Sequence, residues 1–152
     1  MLESAIPIEA PKHSFKNFDE ARQWAKENIV GTYKNNNTGE DINVSKTAID
    51  KYLSMKAVKK SVSMNTHLSA LKILPKLIQT SILKETHPDK GNDINVKEIQ
   101  RLYGTISYEG QTYPVKITVK VIKRKGNNAY SYEVMKIESP IEETLPGQSK
   151  TW

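Results

Sequence analysis

Residues 113–122 read YPVKITVKVI, and the fold turns on this stretch. Val115, Ile117, Val119 and Val121 alternate with Lys116, Thr118 and Lys120, so an extended backbone carries an apolar face and a cationic one. Pro114 is tolerable because it falls at the start of the strand. On the N-terminal side, residues 99–108 form a second strand, joined through a turn at Glu109, Gly110 and Gln111. On the C-terminal side, residues 123–128 make another turn and residues 130–137 a third strand. The pattern predicts an antiparallel meander with residues 113–122 at its centre, its apolar face packed on helices and Lys116, Thr118 and Lys120 on the other face.

Those helices come from the first half of the chain. Ala21, Trp24, Ala25 and Ile29 recur at helical spacing behind Asp19 and Glu20, whose charges suit a helix N-terminus. Residues 30–33 and 42–44 flank Asn35, Asn36, Asn37, Thr38 and Gly39, which predicts a short hairpin. Ser45 suits the N-cap of a helix through Ala48, Ile49, Tyr52 and Leu53. Residues 54–65 are polar and lysine-rich without a period, the pattern of a loop or a frayed helix end. Thr66 can cap the next helix, whose stripe is Leu68, Leu71, Leu74, Leu77 and Ile78. Pro75 must kink that helix or open a second one at its first turn, and the helical region ends before Pro88. The expected class is α+β, with N-terminal helices packed on a C-terminal antiparallel β-sheet. Residues 1–17 read as a tether, 18–138 as the folded domain and 139–152 as a tail.

The 152 residues suit one domain, which at this size buries about 68–70% of its unfolded-chain surface. With no cysteine, disulfides, thiolate nucleophiles and cysteine-ligated zinc are excluded. No run approaches the roughly 18 apolar residues of a membrane span, and the N-terminus lacks a signal-peptide pattern, so a soluble protein without membrane association is expected. The net charge of +6 is uneven. Residues 1–44 hold 5 Lys/Arg against 7 Asp/Glu, residues 45–91 hold 9 against 3, and residues 97–138 hold 8 against 4. A positive field concentrated in the middle and the strands suits a polyanion, with nucleic acid the commonest one, although a lysine-rich solvated surface gives the same count.

Three histidines can carry proton chemistry. His13 lies in the tether. His67 falls in the first turn of the central helix, where the dipole favours the neutral base, unless it is a plain surface residue. His87 ends the helical region beside Asp89, which can orient it, unless it only caps a helix C-terminus. No metal-ligand spacing and no glycine-rich phosphate loop occur, so neither a metal nor another cofactor is expected and nucleotide hydrolysis is disfavoured. Metal-free RNA cleavage, in which the 2′-hydroxyl is the nucleophile and the protein supplies a base, a cation and an acid, remains compatible with these residue types.

The segments NTGEDINVSK (37–46), HLSALKILPKLI (67–78), HPDKG (87–91) and GQTYPVKITVKV (110–121) resemble the phage MuF C-terminal and large polyvalent protein-associated domains, over about residues 18–138. Those domains are assigned to the nuclease fold shared by barnase, EndoU, colicin and RelE toxins. The resemblance implies helices followed by a four-stranded antiparallel sheet and a metal-independent ribonuclease toxin domain. It implies catalytic groups at His67, His87, Lys46, Thr118 and Tyr132. Lys116, Lys120 and Lys72 are the expected RNA-binding lysines. The last strand departs from the pattern, since YSY ends in Tyr132 where a histidine is expected, and tyrosine is a poorer acid near neutrality. The implied partners are RNA, such as a tRNA anticodon loop, and an acidic immunity protein. The free protein is expected to be a monomer that acts in a bacterial cytoplasm after delivery from another cell or a phage. The rival from another class is a non-catalytic accessory module that binds nucleic acid or protein.

Overall fold

The computed structural model describes residues 6–88 and 95–140. In chain order the elements are β1 (Ile8–Glu9), α1 (Phe18–Asn28), β2 (Gly31–Lys34), β3 (Asp41–Val44), α2 (Lys46–Tyr52), α3 (Met55–Lys60), α4 (Met64–Leu71) and α5 (Leu74–Thr80). Four strands follow: β4 (Ile82–His87), β5 (Val96–Tyr108), β6 (Gln111–Arg124) and β7 (Asn127–Ile137). The class is α+β. One seven-stranded sheet runs in the order β1-β5-β6-β7-β3-β2, and β4 shares with β1 the edge of β5.

The β5–β6–β7 meander forms where alternation predicts it, and β6 is interior to the sheet. Both of its hairpins turn on two residues of positive φ, Glu109–Gly110 and Lys125–Gly126, the geometry that matches the strand twist. Val115, Ile117, Val119 and Val121 are buried, each such side chain contributing about 1.5–3 kcal/mol of apolar transfer. Val115, Ile117 and Val119 share one core with Leu68, Leu71, Leu74, Leu77 and Ile78 from α4 and α5, with Ile49 and Tyr52 of α2 and with Leu53 at its C-terminal end.

The sheet is larger than the expected four-stranded one, and it is mixed. β1 joins β5 in parallel through Ile8 and Glu9, and β3 joins β7 in parallel through Ile42 and Asn43. Such pairings across long sequence separations leave no local pattern. Residues 8–10 of the expected tether therefore belong to the sheet edge, where Ala10 donates its N–H to Ser107 O.

Two segments between the helices and the meander also differ. Residues 54–65 hold α3 and the start of α4 rather than a loop or a frayed helix end, because Ser54 and Ser63 accept hydrogen bonds from the third residues of their helices, Ala57 and Thr66. A six-residue helix is too short to show a period. Thr66 lies inside α4 and is not its cap. Pro75 opens a second helix, which stops at Thr80, and Ile82–His87 then forms strand β4 against β5. His87 consequently ends a strand, not a helix. Asp89, its expected orienting neighbour, and most of the 139–152 tail lie outside the described residues.

Candidate nucleic-acid interface

The face of the sheet away from the helices follows from the register. Arg101 pairs with Thr118, Tyr103 with Lys116, Thr118 with Val134 and Lys116 with Lys136. These residues are partly exposed, while their chain neighbours Leu102, Ile117 and Ile137 are buried. Beyond the end of β3, α3 and the following turn lie along β7, where Val62 donates its N–H to Ile137 O. Lys60, in the last turn of α3, reaches the same face. Lys60, Arg101, Lys116, Thr118, Val134 and Lys136 line a hollow of about 410 Å³.

Four of those six residues are cations. Lys136 lies 3.6 Å from Glu138 and Arg101 lies 3.7 Å from Glu85, both partly exposed pairs that water screens. Lys60 and Lys116 make no ion pair among the described residues. The Arg101 Nε is buried without a hydrogen-bond partner among the described residues. Cations converging with a hydroxyl on a recess suit a phosphate or another compact anion.

Arg101 also connects this hollow to a cluster along β4 and β5. Glu85 Oε1 stands 2.9 Å from His87 Nε2, and Glu85 Oε2 accepts from the Tyr103 hydroxyl at 3.0 Å. The hydrogen bond from His87, then that from Tyr103, holds the Glu85 carboxyl below its ordinary range. Burial and the Glu85 contact push the Tyr103 phenol up. Near neutrality this cluster therefore presents a carboxylate and a phenol, beside a His87 ring that is partly open to solvent.

The structure divides the expected site residues into two groups. Thr118, Lys116 and Lys120 share the outer face of β6, and His87 reaches that side from β4. His67 does not. Its ring is fully buried, with Nε2 donating to Tyr52 O at 2.7 Å and Nδ1 accepting from the Ser61 hydroxyl at 2.7 Å. Burial lowers its pKa to about 4, partly opposed by the Tyr52 hydrogen bond. A neutral, doubly bonded and inaccessible imidazole cannot take a proton from a substrate.

Tyr132 points into the core as well, 1% exposed, its hydroxyl without a partner and pushed far up by burial. It cannot act as an acid on bound RNA. Lys46 is exposed on the first turn of α2 and does not line the hollow. Lys72 closes α4, its ammonium 5.2 Å from the Phe15 ring centroid and 5.7 Å from that of Trp24. That places it in the helical layer, behind the sheet. Conversely, the sequence does not single out Lys60, Arg101 and Lys136: Lys60 sits in a stretch without a helical period, and strand alternation alone does not rank one outward cation above another.

A model of the family described as large polyvalent protein-associated domain 3 matches residues 13–130. The chain belongs to this family. As a large polyvalent protein-associated domain 3, it is of a kind associated with large polyvalent proteins. Nothing matches it among curated proteins or among solved structures. The family match spans α1 through β6 and the first four residues of β7, and takes in Lys60, Arg101, Lys116 and Thr118.

Proposed function

We propose that this large polyvalent protein-associated domain 3 is a nucleic-acid-binding accessory module that holds backbone phosphates on the outer face of its sheet. The observation that carries this reading is the hollow in which Lys60, Arg101, Lys116 and Lys136 converge with Thr118. Contacts of this kind act on the phosphate and leave base identity unread, so affinity should depend on salt and little on sequence. With four cations engaged, binding of a single strand should follow a log–log salt slope of about −3. The test is fluorescence anisotropy of labelled oligonucleotides between 50 and 200 mM salt, with Lys116→Ala/Lys136→Ala weakening every sequence alike. Equal binding at both salt concentrations, or none, overturns the reading.

The second reading, a metal-independent ribonuclease toxin, is favoured by one observation: the Glu85–His87 pair shares Arg101 with the hollow. In that reading His87 takes the 2′-hydroxyl proton while Arg101, Lys116 and Thr118 hold the phosphate. Binding ranks first because no other histidine stands nearby to protonate the leaving oxygen. His67 is buried, and His13 bonds Asn65 and Ser69 in the helical layer. Incubation of RNA with the protein in EDTA decides between the two. Products with 2′,3′-cyclic phosphate ends, abolished by His87→Ala, establish the ribonuclease; intact RNA leaves the binding module.

A further inference from the structure

The phosphate hollow does not end at α3. A second hollow, of about 290 Å³, is lined by Lys51, Ser54, Lys56, Lys60, Glu133 and Val134. Lys60 and Val134 line both, so the two recesses adjoin across those side chains. A cationic path thus runs from Lys51 and Lys56 on α2 and α3, over Lys60, to Lys136, Lys116 and Arg101 on the sheet.

Glu133 interrupts this path. Strand β7 carries one extra residue opposite Thr118 and Val119, where the register shifts from Thr118–Val134 to Val119–Tyr132, and Glu133 is that residue. A bulge redirects the side chain it holds. Here the Glu133 carboxylate accepts from Lys51 at 2.6 Å and lies 3.3 Å from Lys120. One anion thereby occupies two ammonium groups that border the path.

We infer that the two hollows form one track for a single-stranded nucleic acid, and that Glu133 is a built-in counter-charge the strand must displace to occupy it. This rests on the proposed binding function and adds the form of the ligand and a control on its affinity. A single strand is flexible enough to place phosphates in adjoining recesses and to cross the ridge between them. A duplex is stiff over about 150 base pairs and cannot bend into both. Lys60, serving both recesses, is the lysine on which the track depends.

The experiment measures anisotropy of a labelled 20-nucleotide single strand and of the matching duplex on the full chain, with circular dichroism melts confirming that each variant is folded. The single strand should bind at least about tenfold tighter than the duplex. Lys60→Ala should weaken it about tenfold and make the salt slope shallower by about 0.7. Glu133→Gln should tighten it about three- to fivefold, since partly exposed ion pairs are this weak. Lys76→Ala, on the opposite, helical layer, should change nothing. If wild type binds the strand but Lys60→Ala is unchanged, Glu133→Gln gains nothing or the duplex binds equally well, the track is overturned and the binding function stands. If wild type binds no nucleic acid, both fall.

Discussion

His67 shows how one side chain can match a catalytic pattern and serve another end. Helix position and residue type were both readable, yet its surroundings come from Ser61 and Tyr52, which no spacing rule brings to it. The ring fastens the C-terminus of α2 to the turn before α4, and the Ser61 hydroxyl that bonds it also accepts the Ile137 N–H. Because the folded chain holds His67 at about 4 against an ordinary 6.5, the unfolded chain binds its proton first. Stability linked to this residue is present above pH 6.5 and is lost as the pH falls toward 4, by roughly 3 kcal/mol across that window. Urea denaturation of wild type and His67→Gln from pH 7 to pH 4 should show a gap that narrows with acid. A constant gap would mean that the ring is not held neutral.

Between elements, β5 passes tightly against the residue that follows α5. A Cβ added at Gly104 would lie 2.5 Å from the Ser81 Oγ, and that hydroxyl is buried without a partner. Gly104→Ala should cost roughly 1–3 kcal/mol through overpacking. Ser81→Ala should be neutral or stabilising, because it removes an unsatisfied polar atom, and the double variant should recover most of the Gly104→Ala loss. Thermal melts of the three proteins check this; a double variant no better than Gly104→Ala alone would place the strain elsewhere. The long strands were legible because alternation over ten or more residues repeats its message. α3 and β4 were not, being six residues each and lying beside a helical stripe whose momentum carried the helix past Ser81. For the same reason the hollow was half visible: Lys116 and Thr118 stand on the readable strand, whereas Lys60 stands on the unreadable helix.

Across the domain, the sheet is completed by its most distant parts. Ile8 and Glu9 pair with Ile106 and Ser107, and the β2–β3 hairpin docks on β7 at Tyr130 and Ser131. Deleting residues 1–10 should therefore lower stability by roughly 2–4 kcal/mol, from lost burial of Ile8 and Ala10 and lost edge hydrogen bonds. Chemical denaturation of the truncated chain measures it, and an unchanged midpoint would restore residues 1–10 to the status of a tether. The two parallel joins also set an order of events in time. Contacts spanning roughly a hundred residues must close a large loop before they repay it, which places folding in the slow, millisecond-to-second range. On a ribosome the helices and the first hairpin emerge while the strands they need are still unmade, so the edge of β3 at Ile42 and Asn43 waits unpaired until Tyr130 and Ser131 have left the exit tunnel. For this chain, synthesis itself is the interval of greatest exposure to aggregation.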